Sequence, residues 1–368
     1  MNITNFNNTG NNPNLIKSPK IAVITGSGQD AKTLTHFLLL KNYRIVLTYR
    51  RNTSFNPELL LELFSNSSNV ELINIDHSDE TSIKLGLNKV LEKYGKINEI
   101  YHLGASSNVG DSFLSPESQI SGNGQSAFYL LEWIRCNSVR TKFYFAATSE
   151  CFGGDPKRVP FNENSVLEPR SPYGISKVLG YNWTTFYRQT YGLYACSGFL
   201  FNHSNHYRHP SFFIRRITQS AARIAAGKLD KITLGNIDFW RDETYADFMV
   251  EMMWKMLNNP LGAKDYVVGN GVCYSGEEFL VNAFSYFNLD WRKYVVIDKD
   301  RFRPNEVVKL AADPTSVVKD LGWIPNRITF KDHVGAMCFV DEQLERGILL
   351  TDVVKKDIFN LNASQKID

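Results

Sequence analysis

The chain has 368 residues, which suits one large domain or two closely joined ones with a sizeable core. Hydrophobic residues make up 43% and charged residues 21%, an ordinary globular balance. Net charge is +3, from 41 basic and 38 acidic residues, so neither a nucleic-acid nor a membrane partner is expected.

Residues 1–19 are rich in Asn and lack the apolar stretch of a secretory signal. They read as a disordered arm. No later apolar run reaches the length of a membrane span. The five cysteines, Cys136, Cys151, Cys196, Cys273 and Cys338, are scattered and form no CxxC. They read as free thiols in a reducing compartment, here the cytoplasm.

From Lys20 the pattern changes. Ile21 to Ile24 is a short apolar run ending in Thr25-Gly26, the pattern of a buried parallel strand. A helical stretch carries Leu34, Phe37, Leu38 and Lys41 on one face, and Tyr43 to Thr48 is a second strand. Val70 to Ile75 predicts a strand, Glu80 to Tyr94 a helix, and Glu99 to Leu103 a strand. Ser126 to Arg135 is helical, Lys142 to Ala147 a strand, Tyr173 to Tyr191 a long helix, and Tyr194 to Leu200 a strand. Strands alternating with helices imply βαβ units, hence an α/β, Rossmann-type doubly wound parallel sheet. Residues 20–201 are therefore expected to form a Rossmann domain. Beyond Asn202 the rhythm breaks. Residues 202–368 are expected to be mainly a smaller C-terminal substrate-binding lobe, with some segments returning to the sheet.

Chemistry concentrates in four places. Gly26-Ser27-Gly28-Gln29-Asp30-Ala31 follows the first strand and opens a helix, where glycine lets backbone N–H groups approach a pyrophosphate. At the end of the second strand, where an acid would hold the ribose hydroxyls of NAD, stand Tyr49-Arg50-Arg51. Two guanidiniums favour a 2′-phosphate and therefore NADP, unless they are simply solvated surface arginines. Tyr173 and Lys177 form a YxxxK pair on one helix face, with Lys expected to lower the phenol's pKa for proton abstraction from a sugar hydroxyl. Thr148-Ser149-Glu150 lies at the carboxyl end of the fifth strand, the edge where open α/β sheets bind ligands. The competing reading of Glu150 is a loop acid or cap.

Together these segments resemble the extended short-chain dehydrogenase/reductase family, and within it the GDP-mannose 4,6-dehydratases. The likeness runs from about Lys20 to about Val340. It is carried by Arg50 to Asn56, Tyr101-His102-Leu103-Gly104-Ala105, Thr148-Ser149-Glu150 and Pro169 to Gly174. Further matches are Leu200-Phe201-Asn202-His203, Leu234-Gly235-Asn236, Arg241-Asp242 and Arg303-Pro304-Asn305-Glu306-Val307.

The resemblance implies that Tyr173 is the base for a C4 hydroxyl, tuned by Lys177. Thr148 would bond the same hydroxyl, and Glu150 would move a proton from C5 to the departing C6 hydroxyl. The cofactor site would comprise Gly26, Gly28, Gln29, Asp30, Arg50, Asp76, His77, Leu103, Gly104, Ala105, Ser106, Ser107, Lys177, His203 and Arg208. Asn202, Arg241, Arg303 and Glu306 would face the GDP-sugar. A homodimer or homotetramer is the usual assembly. NADP would act as a bound catalyst, because the cycle is redox-neutral.

Four departures stand out. The glycine loop is one residue short and ends in Ala31. The family's NHESPRRG reads Asn202-His203-Ser204-Asn205-His206-Tyr207-Arg208-His209, losing a Glu and an Arg. Asn108 replaces a His, and the Trp-Gly after Arg241-Asp242 becomes Glu243-Thr244. The catalytic set is intact while the pocket rim differs. That leaves a GDP-heptose dehydratase, a GDP-sugar 4-dehydrogenase or epimerase, or an idle NADP-binding pathway subunit as alternatives. His203, His206 and His209 repeat every three residues, but no acid or Cys completes a cluster, so no metal is expected. Cys151 and the aromatic cluster Trp240, Tyr245 and Phe248 read as packing residues.

Overall fold

The computed structural model describes residues 18–50, 56–302 and 305–353. Arg51, Arg303 and the arm up to residue 17 lie outside them. The first half supplies the strands Ile21–Thr25 (β1), Arg44–Tyr49 (β2), Val70–Asn74 (β3), Glu99–His102 (β4), Lys142–Thr148 (β5) and Ala195–Leu200 (β6). The second half supplies Asn202–Ser204 (β7), Ile232–Leu234 (β8), Trp240–Tyr245 (β9), Tyr266–Val268 (β10), Cys273–Ser275 (β11), Val295–Ile297 (β12) and Lys309–Leu310 (β13).

Among the described residues, seven strands form one sheet in the order β10-β6-β5-β4-β1-β2-β3. Every pairing in it is parallel. The central strands are buried on both faces, which is why β1 and β6 read as uninterrupted small and apolar residues. One apolar cluster packs the sheet against the helices Glu80–Tyr94, Ser126–Asn137 and Pro172–Tyr191. A second packs it against Gln29–Leu40 and Ala246–Leu257. The strand order reverses between β1 and β4, so the loops leaving their carboxyl ends splay apart and open a crevice.

A smaller sheet sits over that crevice. Strand β9 is its spine, pairing antiparallel with β11 and parallel with β13 and β7. The lobe has its own apolar cluster, from Ile214, Ile217, Phe279, Phe284, Val334 and Met337 among others.

Three local features depart from the sequence expectations. A helix, Pro57–Leu63, intervenes between β2 and β3, with Asn56 accepting from the Glu58 and Leu59 N–H groups. Residues Ile120–Gln125 wind as a π-helical turn ahead of the helix at Ser126. Trp240 is not a core residue: it opens β9 with 41% of its surface exposed, whereas Tyr245 and Phe248 are buried as expected. It is the first residue of the strand, and the five residues after it are all buried.

Candidate active site

All described candidates from the sequence line one cleft of about 1000 Å³ at the carboxyl edge of the parallel sheet. Its floor is the turn after β1. Gly26 adopts φ +84°, and a methyl group there would sit 2.8 Å from the Gly104 Cα, so only glycine lets the β1 and β4 turns touch. Thr25 fastens the contact. Its Oγ accepts from the Leu103 and Gly104 N–H groups at 2.9 and 2.8 Å, and its hydroxyl donates to His102 Nδ1 at 2.8 Å. That leaves His102 Nε2–H to donate to Ser126 Oγ. Burial holds the His102 pKa well below 6.5, so the ring is neutral.

Gly28 caps the helix Gln29–Leu40 and offers no side-chain acceptor. The first-turn N–H groups therefore remain free for an anion, and a methyl group on Gly28 would meet no atom within 4 Å. This is the cradle a dinucleotide diphosphate requires. At the rim, Arg50 follows β2 and is exposed. Asp76 and His77 lie across from it, and His77 Nδ1 is buried without a partner among the described residues.

The glycine-loop helix is clasped to the second lobe. Both Asp30 carboxylate oxygens lie 3.1 Å from His203 Nε2. Gln29 donates to the His203 carbonyl at 3.2 Å and accepts from the Asn205 N–H at 3.0 Å. Burial opposes the Asp30 charge, but His203 and the Gln29 hydrogen bond outweigh it and hold the carboxyl well below the usual range. Burial likewise opposes a charged His203, yet Asp30 keeps its pKa above 6.5.

The Tyr173 side of the cleft is set by one long helix. Ser171 caps Pro172–Tyr191, accepting from the Gly174 N–H, and Pro172 occupies the first turn. Gly180 lets the helix lie against β5, since a Cβ there would be 2.2 Å from the Phe145 ring. Lys177 consequently reaches the Ala146 carbonyl at 2.8 Å, with its ammonium 5.0 Å from the Phe145 ring centre. Asn123 in the π-turn bonds Ser176 and both backbone groups of Ser106, so this helix also orders the loop after β4.

Burial pushes Lys177 down to about 8. It also raises the Tyr173 phenol above 10, with the Thr148 hydroxyl opposing that rise by hydrogen bonding. The Arg208 charge also favours the phenolate, and the Lys177 ammonium stands 5.9 Å from the phenol ring centre. Glu150 is half-buried on the short turn Ser149–Phe152. Cys151 behind it is fully buried and pushed up to about 12 by burial, an inert packing thiol.

On the opposite wall, Asn202, Arg241 and Glu306 line the cleft. Arg241 also donates to the carbonyls of Trp240, Val307 and Val308, tying down the segment that carries Glu306. The three loop histidines take different partners. His203 bonds Asp30, His206 packs on the Tyr207 ring, and His209 pairs with Ser211. Sequence reasoning missed Asn123, and it named Thr25 and Glu243 without giving either a contact in the site. A hydroxyl ending β1 was a legible signal for Thr25, whereas the contacts of Asn123 are long-range and left none.

A Rossmann sheet with a glycine turn after β1, a hydroxyl–acid pair ending β5 and a YxxxK helix defines an extended short-chain dehydrogenase/reductase. Residues 23–337 match the family model described as GDP-mannose 4,6 dehydratase. A relative from Arabidopsis thaliana, GDP-mannose 4,6 dehydratase 1, is 38% identical, with 90% of this chain and 91% of the relative covered. The chain belongs to the GDP-mannose 4,6-dehydratase family. The fold is shared more widely. DesIV, a dTDP-glucose 4,6-dehydratase from Streptomyces venezuelae solved with NAD and TYD, superposes with TM-score 0.76 at 20% identity, covering 89% of this chain and 98% of DesIV. RMD from Pseudomonas aeruginosa, solved with NADPH, superposes with TM-score 0.71 at 18% identity, covering 88% and 99%.

Proposed function

We propose that this chain is a GDP-sugar 4,6-dehydratase, acting on GDP-mannose or a related GDP-hexose to give the 4-keto-6-deoxy sugar, with NADP as resident cofactor. The observation that carries the reading is the convergence of Thr148, Glu150, Tyr173 and Lys177 on the wall facing the glycine cradle. A nicotinamide dinucleotide would supply a store for the hydride leaving C4 and deliver it later to C6. Tyr173 takes the C4 hydroxyl proton, with Thr148 steering that hydroxyl and Lys177 holding the ribose. Oxidation at C4 acidifies the C5–H. Glu150 removes that proton and passes it to the C6 hydroxyl, which departs as water. Tyr173 then returns its proton to C5, so the sugar loses one water and no net electrons.

Arg50 at the end of β2 supports NADP over NAD, because the strand end carries a guanidinium where NAD would call for an acid. Residues 20–201 would hold this cofactor and the later residues mainly the sugar nucleotide. A homodimer through the helix Pro172–Tyr191 would bury Ile175, Phe186 and Tyr191, which are 52%, 44% and 48% exposed. No helix among the described residues is long and apolar enough to cross a membrane, and five free cysteines suit the cytoplasm.

Mass spectrometry of a GDP-sugar panel incubated with catalytic NADP tests the proposal. Loss of one water from one member supports it and names the substrate, a GDP-heptose included. Loss of two hydrogens with stoichiometric cofactor reduction would instead mark a 4-dehydrogenase. An unchanged panel would refute dehydration and leave an epimerase or an idle subunit.

A further inference from the structure

Glu243 lies in the middle of β9, directly paired with Asn202 of β7. Paired residues of parallel strands present their side chains to the same face, and so do residues two apart. Asn202, Arg241 and Glu243 therefore share the face that lines the cleft. Glu243 is nonetheless only 4% exposed, and its Oε1 has no hydrogen-bond partner among the described residues.

Of the charged groups around it, His203 is paired with Asp30, while the Arg208 guanidinium lies over the Phe212 ring at 3.7 Å and its Nε has no hydrogen-bond partner among the described residues. Behind the strand, Arg327 is bonded to Glu251 and His333 to the Ser204 carbonyl. Asp242, next along β9, points the other way and accepts from the Asn270, Gly271 and Ala312 N–H groups. Asp242 is thus satisfied by the fold, whereas Glu243, at the wall of the cleft, keeps one buried carboxyl oxygen unpartnered among the described residues.

We propose that Glu243 is a specificity-determining residue whose free carboxyl oxygen bonds a hydroxyl of a bound sugar, foremost the hexose of the nucleotide sugar. The hexose assignment rests on the proposed function. A ribose hydroxyl of the dinucleotide has the same chemistry and is the other source. Burial raises the carboxyl to about 7, against the pull of Ser204, Arg208 and His203. Near neutral pH it can therefore meet a hydroxyl as acceptor or as donor.

The test is calorimetric titration of wild type and Glu243→Gln with three probes: GDP, the GDP-sugar of a panel that wild type binds most tightly, and NADPH. A tenfold or greater loss for the GDP-sugar, with GDP within about twofold, assigns the hydroxyl to the hexose. A similar loss confined to NADPH assigns it to the dinucleotide ribose. All three affinities within about twofold of wild type would overturn the proposal and make Glu243 a partner of Ser204 and Arg208 alone. Wild type binding no GDP-sugar would count against the proposed function, and the NADPH titration would then decide the role of Glu243. Should the Gln variant not fold, Glu243→Asp, which keeps the charge but shortens its reach, is expected to show the same selective loss.

Discussion

Gly26 and Gly28, two residues apart, should fail in opposite ways. Gly26 has φ +84°, and an added Cβ would lie 2.8 Å from the Gly104 Cα. An L-residue in that conformation costs about 1–2 kcal/mol, and forcing two backbone turns apart adds about 1–3 kcal/mol. Gly26→Ala is therefore expected to lose about 2–5 kcal/mol, lowering the melting temperature by roughly 3–6 °C in a chain of this size. Gly28 has φ −75° and meets nothing within 4 Å. Gly28→Ala should lose at most about 1 kcal/mol, the cost of a poorer N-cap. Its methyl group would stand where the diphosphate must approach the helix, so NADPH affinity should fall at least about tenfold, or 1.4 kcal/mol. Thermal melting and NADPH titration of both variants separate the effects. A Gly26→Ala protein melting with the wild type, or a Gly28→Ala protein binding NADPH normally, would refute the cradle argument.

Tyr173→Phe should leave melting nearly unchanged and reduce turnover by about 10²–10⁴, the usual worth of a positioned acid–base group; steady-state assay of water loss decides it. Glu150→Gln should uncouple oxidation from elimination, so single-turnover mass spectrometry should find the sugar lighter by two hydrogens and not by water. The Asp30–His203 clasp should show a stability window. Asp30 is depressed, so its contribution is present above its unfolded pKa of about 3.9 and lost as pH falls through the folded value. His203 is raised, so its contribution is full below about 6.5 and lost as pH rises through the folded value. The stability gap between wild type and His203→Gln, measured by urea unfolding, should be wider at pH 6 than at pH 9. A gap independent of pH would show that the clasp carries no charge.

The parallel sheet was legible because β1, β2, β4, β5 and β6 are apolar runs spaced by helix-length segments, and burial on both faces writes that pattern directly into composition. The lobe was not. Strands β7, β8, β11 and β12 have three residues each and β13 two, too few for a period-two pattern to register. Their positions are set by pairing with distant partners. The same divide runs through the site. Thr148 and Tyr173 sit where a strand end and the following helix must bring them. Arg241 was expected to face ligand, but its bonds to the Val307 and Val308 carbonyls depend on β13 lying beside β9. Glu243 faces the cleft through its register with Asn202, which no local pattern encodes.

Strand β10 comes from far along the chain, yet it completes the parallel sheet beside β6. During synthesis, the nascent dinucleotide-binding half must wait with the Gly198–Leu200 edge unpaired until Tyr266–Val268 has left the ribosome. A gene truncated after Phe201 would then yield an open-edged, sticky fragment rather than an autonomous module. Splitting this protein for expression or complementation would have to place the cut beyond β10, after the parallel sheet is finished.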